Sequence, residues 1–477
     1  MLFRIIDSLL SVGVDTKQRL RDLYLRDDRV WVVMLSMGKD SSCMASLVWD
    51  MLRNLEPAQR RKDVHFITSD TRCEVPAMLQ YVRKNVRMMR DAAREQGLPI
   101  KVHLAEPDME QRFFYQVLGK GNPPPNEKTR FRWCSDKMKI QPTESLVRDL
   151  SSHFTVLDEF DAVMLLGVRT QESATRANSI RKHSLDEDYF AKHATFPRIL
   201  VYHPIRDWSS DDVWAFLLNY NSGVMPWGVE SYELHALYSD ASGECPLTQP
   251  DGKQAKTCGG SRFGCWTCCY VGSEDKMLGN LIESGDEAIR PLYYWKRTLY
   301  YMRNDVRFRL PIRRRQQGNL PNDHLITFSF LEPEESEVAY VPGSITIYAR
   351  KLLLETLLYI QEQSGLELID DDEVKAIVRC WREESGRSYA VEELRTRPMP
   401  RINHLSLLAN GEVNQKVSDF DGPLPSKMIT VSSEQLLEFY ERFNSEYSGV
   451  VWIPTSDYKT VIEVEVPHYE EKHSLWW

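Results

Sequence analysis

Hydrophobic positions in the first half of the chain fall into short runs separated by longer segments of helical spacing. Residues 30–36, Val-Trp-Val-Val-Met-Leu-Ser, are almost continuously apolar and end beside a glycine and a lysine. That is the pattern of a strand buried on both faces that opens into a loop. Residues 41–54 repeat apolar side chains at helical spacing, and 64–69 read as a second strand. A helix over 75–95, a strand at 100–104, strands at 161–167 and 199–203, and a helix over 209–219 with a Ser/Asp start continue the alternation. Strands alternating with helices predict an α/β fold: a parallel sheet with helices on both faces. Ligands of such sheets sit beyond the carboxyl ends of the strands, so chemistry is expected just after residues 36, 69 and 167.

The pattern changes after residue 240. Residues 241–276 are rich in Gly and Cys and carry no helical period, whereas 346–362 and 433–448 are helical in spacing. An acidic stretch, Glu332-Pro333-Glu334-Glu335, marks a boundary in the region 330–345. The expected organisation is an α/β domain over 1–240, a cysteine-rich loop with flanking helices over 241–335, and a mostly helical region over 336–477 with no motif.

Length and charge narrow the function. A chain of 477 residues exceeds one ordinary domain. Its net charge of −9 argues against a protein that grips nucleic acid by bulk electrostatics. The start, Met1 to Val12, carries Asp7 inside its apolar stretch and lacks a small-residue cleavage site. No run of about 18 apolar residues is present, so a cytoplasmic location without membrane association is expected.

The first chemical motif is Ser36-Met37-Gly38-Lys39-Asp40-Ser41-Ser42, between a strand and a helix. A glycine-containing turn at a helix N-terminus offers backbone N–H groups and a favourable dipole to phosphate. Lys39 adds a mobile positive charge, Ser36, Ser41 and Ser42 add hydroxyls, and Asp40 is suited to hold Mg²⁺ on the phosphates of ATP. The Walker A pattern is excluded, because Val33 and Asp40 stand where it needs Gly and Ser or Thr. The motif resembles instead the PP-loop, SGGKDS, of ATP pyrophosphatases, with Met37 replacing the first glycine. The plain alternative is a helix cap in a polar turn.

Two further motifs follow strands. In Ser69-Asp70-Thr71-Arg72-Cys73-Glu74, Asp70 and Thr71 are placed either to bind the ribose or adenine or to cap an ordinary turn. In the run from Gly167 to Arg176, Arg169 and Arg176 bring planar forks suited to phosphate oxygens. The alternative there is an ion pair between Glu172 and Arg176 on a helix surface.

Nine cysteines are present, five of them bunched between 245 and 269, which in a chain without an export signal points to metal ligation before disulfides. Cys258, Cys265 and Cys268 have the spacing C-x6-C-x2-C, and Cys134 stands far upstream in Phe131-Arg132-Trp133-Cys134. Four thiolates suit Zn²⁺ or a [4Fe–4S] cluster equally, and Cys245 and Cys269 are rival ligands.

Together these segments, with Asp207-Trp208-Ser209, Gly243-Glu244-Cys245-Pro246-Leu247 and Ser261 through Cys268, resemble the DndC family of bacterial DNA phosphorothioation and its relative SspD. The resemblance covers roughly residues 30–300. It implies a PP-loop (adenine nucleotide alpha hydrolase-like) fold with ATP, Mg²⁺ and a [4Fe–4S] cluster held by Cys134, Cys258, Cys265 and Cys268. It implies that the loop, with Gly167 beside it, activates a DNA backbone phosphate by adenylylation so that sulfur can enter. Expected partners are DNA, a cysteine desulfurase as sulfur donor, and other phosphorothioation proteins that grip the DNA. Two alternatives stand beside it. One is a phosphoadenylylsulfate or adenylylsulfate reductase, against which counts the absence of any cysteine after Cys380. The other is a non-catalytic nucleotide sensor with structural zinc, for which Met37 is the best support.

Overall fold

The computed structural model of the protein describes residues 2–127, 129, 131–151, 160–172, most of 178–242, 264–304, 309, 344–386 and 390–396. It also describes short strands at 325–328, 429–432, 450–454 and 461–465. The helix expected over 433–448, together with Arg176, Cys245 and Cys258, lies outside the described residues.

The chain divides into two compact units, one of residues 1–107 and 135–265, the other of 108–134 and 266–477. The sequence-derived boundaries at 240 and 335 follow composition; these units follow which segments pack together.

The first unit is built on a six-stranded sheet. Its elements are helix α1 (Leu2–Arg26), β1 (Val30–Leu35), α2 (Lys39–Arg53), β2 (Val64–Ser69), α3 (Pro76–Glu95), β3 (Ile100–Ala105), α4 (Gln141–Ser151), β4 (Ala162–Leu166), β5 (Phe190–Lys192), β6 (Ile199–Tyr202), α5 (Ser210–Asn219) and α6 (Ser231–Ser242). The strand order is β3-β2-β1-β4-β6-β5, and every pairing is parallel except that of β5 with β6. Alternate residues feed opposite faces. Val32, Ile67, Ala105, Ala162 and Met164 join Val147 of α4 in one core cluster. On the other face Trp31 meets Tyr24 of α1 with ring centroids 5.3 Å apart, and Phe66 meets Trp49 of α2 at 6.0 Å. The expected α/β sheet with helices on both faces is therefore present.

Sequence pattern located the central strands because they are buried on both sides, as the uninterrupted burial of Ile199–Tyr202 shows. Local chemistry sets the helix starts. Pro76 occupies the first turn of α3, and Ser209 caps α5 in a capping box with Asp212, the two bonds being 3.0 and 2.7 Å.

The described residues of the second unit are mainly helical, with α7 (Lys276–Glu283), α8 (Ile289–Asn304), α9 (Ile347–Ser364), α10 (Asp371–Ser385) and α11 (Val391–Thr396). Two antiparallel strand pairs accompany them, Leu325–Phe328 with Ile429–Ser432 and Val450–Pro454 with Val461–Glu465. Its core is aromatic. Trp295 lies 5.3 Å from Trp266 and 5.8 Å from Phe114, and donates to the Leu353 carbonyl at 2.9 Å. Trp381 of α10 donates to the Leu118 carbonyl at 2.6 Å, which ties 108–134 to the C-terminal helices. No described helix is long and apolar enough to cross a membrane.

Candidate nucleotide site and cysteine cluster

Strand β1 pairs with β2 on one side and β4 on the other, so successive connections depart in opposite directions from the gap between β1 and β4. That switch point is where an open α/β sheet leaves a crevice at its carboxyl edge. The register sets Met34 opposite Leu166, so the loops 36–38 and 167–169 leave the sheet side by side.

Gly167 makes their contact possible. A Cβ at this position would lie 2.9 Å from Ser41 Cα and 3.0 Å from the Asp40 carbonyl carbon and oxygen, so only hydrogen fits between the β4 loop and the first turn of α2.

Residues 36–42 form a tight, self-bonded turn. Ser41 Oγ lies 3.0 Å from Ser36 Oγ, receives the Ser36 N–H at 3.2 Å and donates to the Gly38 carbonyl at 3.1 Å. Met37 takes left-handed backbone at φ 56° with its side chain fully buried. This is the conformation that a glycine at the same place supplies without steric cost. Gly38 caps α2 without a side chain, which leaves the first amides of the helix to other partners.

The charged centre is Asp40. Lys39 Nζ reaches its carboxylate at 2.9 and 3.2 Å, and Arg169 Nε donates to Oδ1 at 2.6 Å. Arg169 is itself buried, and its Nη1 is held by the Trp208 carbonyl at 3.2 Å. Two cations thus share one carboxylate at the switch point. Ser42 Oγ, in the first turn of α2, and Thr68 Oγ1, near the end of β2, are buried with no hydrogen-bond partner among the described residues.

Asp70 and Thr71 are both buried at the end of β2. Asp70 Oδ1 accepts the Arg72 N–H at 2.7 Å, while Thr71 Oγ1 accepts the Cys73 N–H at 3.3 Å. The same turn reaches the cysteine region. Glu74 pairs with Cys265 through a backbone bridge, and Thr71 Oγ1 lies 3.5 Å from Cys265 Sγ. Burial raises the Glu74 carboxyl above its ordinary range, against the opposing pull of Lys139.

The other described cysteines of the expected ligand set belong to the second unit. Arg132 stacks over the Tyr270 ring at 3.3 Å from its centroid, joining the segment of Cys134 to that of Cys268. Trp133 is anchored by its indole N–H to the Pro123 carbonyl at 2.9 Å. Burial pushes the Cys269 thiol up to about 12, with the charges of Cys268 and Cys134 adding to the rise and Lys296 and Arg303 opposing it. None of Cys134, Cys265 and Cys268 is in a disulfide. Among the described residues no three His, Cys, Asp or Glu side chains converge as a metal-binding group. Cys43 is buried in α2, and burial holds its thiol well above the ordinary value, as expected of a packing residue.

The partner that sequence reasoning missed is Tyr238, about two hundred residues from the loop, whose hydroxyl receives the Lys39 N–H at 3.4 Å. No spacing rule signals it, because the contact arises from the packing of α6.

Sheet, switch point and loop define an α/β domain of the PP-loop class. Residues 30–268, half of the chain, match the phosphoadenosine phosphosulfate reductase domain family, and the protein belongs to that family. No curated protein matches the chain by sequence. Among solved structures, FMN adenylyltransferase from Candida glabrata, with FAD and inorganic pyrophosphate, is 11% identical. It covers 53% of this chain and 70% of its own at a TM-score of 0.28. The U34-tRNA thiolase NcsA from Methanococcus maripaludis, with its [4Fe-4S] cluster, is 14% identical, covers 56% of this chain and 90% of its own, and has a TM-score of 0.26. Both likenesses are too slight to argue from.

Proposed function

We propose that the chain is an ATP pyrophosphatase that adenylylates a DNA backbone phosphate so that sulfur can replace a non-bridging oxygen. The observation that carries the nucleotide chemistry is the shared grip of Lys39 and Arg169 on Asp40, at the switch point of a phosphoadenosine phosphosulfate reductase-family domain. In this reading the amides at the start of α2 and the Lys39 ammonium neutralise the phosphates of ATP. Asp40 would hold Mg²⁺, which would supply further charge neutralisation at the phosphates. Arg169 fixes the Asp40 carboxylate and stays in place when Lys39 turns to the nucleotide. A DNA phosphate oxygen attacks the α-phosphorus, pyrophosphate leaves, and the DNA phosphate becomes an anhydride with AMP. The terminal sulfur of a persulfide formed by the desulfurase then attacks the DNA phosphorus, AMP departs with the oxygen, and a thiol reductant cleaves the S–S bond, leaving sulfur on phosphorus and a disulfide behind.

DNA as acceptor rests on the resemblance carried by Phe131–Cys134, Gly167–Arg176 and Ser261–Cys268. Cys134, Cys258, Cys265 and Cys268 would hold a [4Fe–4S] cluster, a four-thiolate site that zinc would also suit. The bridge between Glu74 and Cys265 sets that one thiol beside the β2 loop. The net charge of −9 fits a cytoplasmic enzyme whose partner proteins grip the DNA and whose sulfur comes from a cysteine desulfurase.

The test is reconstitution. Protein, ATP, Mg²⁺, cysteine, a cysteine desulfurase, a thiol reductant and DNA should yield, after nuclease digestion, a resistant dinucleotide carrying one sulfur. ATP cleavage with no sulfur in DNA, with partner proteins supplied, would refute the acceptor. Reduction of phosphoadenylyl sulfate is the second reading, favoured by the family match over 30–268. Sulfite release from that nucleotide with a thiol reductant and without ATP cleavage would select it.

A further inference from the structure

Helix α6 brings one side chain onto the phosphate-binding turn. Tyr238 Oη receives the N–H of Lys39, the first residue of α2, at 3.4 Å, and stands 3.0 Å from where a Cβ of Gly38 would be. The phenol oxygen therefore fills the space directly in front of the helix N-terminus. Burial raises the phenol pKa to about 12, so the group is neutral at physiological pH and its oxygen is a weak stand-in for an anion. Its ring is seated edge-on against Trp214 of α5, with centroids 5.3 Å apart at 85°. The N-terminal turn of α6 is tied separately, by Glu233 to Lys84 of α3 at 2.7 Å.

We propose that Tyr238 is a gate on the nucleotide site: its hydroxyl occupies the position of a phosphate oxygen, and ATP must displace it to bind. The proposal rests on the ATP-binding reading of Ser36–Ser42. The Lys39 amide carries one hydrogen. A phosphate oxygen that takes this bond takes it from Tyr238, and an oxygen at ordinary bonding distance from the amide would crowd the phenol. A charged phosphate accepts more strongly than a neutral phenol, so the exchange favours the nucleotide. Because α6 is tied to α3 at Glu233, near its start, displacement of Tyr238 loosens the later turns of the helix.

The experiment compares wild type with Tyr238→Phe, which keeps the ring against Trp214 and removes only the oxygen. Binding of ATP and of inorganic pyrophosphate, each with Mg²⁺, is measured by calorimetry on the full chain. Loss of one competing hydrogen bond should tighten both by roughly 2- to 10-fold. Amide hydrogen exchange over 231–242 should rise when pyrophosphate is added to wild type, and should already be raised in unliganded Tyr238→Phe. Unchanged or weaker binding by Tyr238→Phe, with wild type binding normally, would overturn the gate and make the phenol a phosphate ligand or a bystander. If neither protein bound either probe, the nucleotide assignment itself would fall and the gate with it. Lys39→Ala, which should weaken pyrophosphate binding in both backgrounds, separates the two failures.

Discussion

Arg169 Nε lies 2.6 Å from Asp40 Oδ1, joining the loop after β4 to the first turn of α2 across the switch point of the sheet. The same carboxylate receives Lys39 Nζ, so one acidic group is shared by a rigid fork and a mobile ammonium. Arg169 is buried and held by the Trp208 carbonyl. Arg169→Lys should therefore fail to restore function although charge is kept, because one ammonium cannot serve both Asp40 and Trp208. Pyrophosphate formation should fall at least about 10²-fold in Arg169→Ala, with a loss in stability of about 3–5 kcal/mol from the broken buried pair. Wild-type turnover in Arg169→Lys would remove the positioning role.

Met37 gives a test of backbone strain. A left-handed residue costs about 1–2 kcal/mol, while full burial of a Met side chain contributes about 1.5–3 kcal/mol, so the residue is retained by its packing. Met37→Ala loses the packing and keeps the strain; Met37→Gly loses both. Glycine should therefore be the less destabilising change by about 1 kcal/mol in urea denaturation, the reverse of the usual order. A larger loss for Met37→Gly would contradict the left-handed geometry seen here.

Much of the first unit was legible because its strands are apolar on both faces. The Ser36–Ser42 loop and Gly167 were legible because a close backbone approach requires particular residues. Tyr238, the Trp208 carbonyl and the Thr71–Cys265 contact were not, since each depends on tertiary packing between distant segments. Phe190–Lys192 is short and sits at the sheet edge, too brief for a periodic signal. The long helix Leu2–Arg26 was not among the expected elements. Asp70 and Thr71, expected either to bind the nucleotide or to cap the turn, accept the Arg72 and Cys73 N–H groups, and Thr71 also approaches Cys265.

His65 and His103, on neighbouring strands, stack with Nδ1 and Nε2 3.0 Å apart. Burial, then the proximity of His103, lowers the His65 pKa to about 4, with Lys101 adding to the fall and Asp63 opposing it. Burial and the nearby Arg90 lower His103 as well. Both groups bind protons more readily unfolded, so their contribution to stability is complete above about pH 6.5 and is lost as pH falls towards 4. Thermal unfolding of wild type should show a steeper decline across that window than His65→Gln. Parallel profiles would exclude the pair as the cause.

The cysteine assignment is tested by iron content. Anaerobically purified protein should be brown, absorb near about 400 nm and hold about four irons per chain. Cys134→Ser, Cys258→Ser, Cys265→Ser and Cys268→Ser should each bleach it, and the buried Cys43→Ser should not. One zinc in a colourless protein would replace the cluster and leave the ATP chemistry standing. Bleaching by Cys245→Ser or Cys269→Ser but not by Cys134→Ser would change the fourth ligand.

The central claim is the site of ATP cleavage. Nucleotide products of wild type, Lys39→Ala and Asp40→Ala should be resolved after incubation with ATP, Mg²⁺ and DNA. Wild type should give AMP and pyrophosphate in equal amounts, and each substitution should slow their release by about 10²-fold or more. Formation of ADP and inorganic phosphate, or undiminished pyrophosphate release by both variants, would contradict the account.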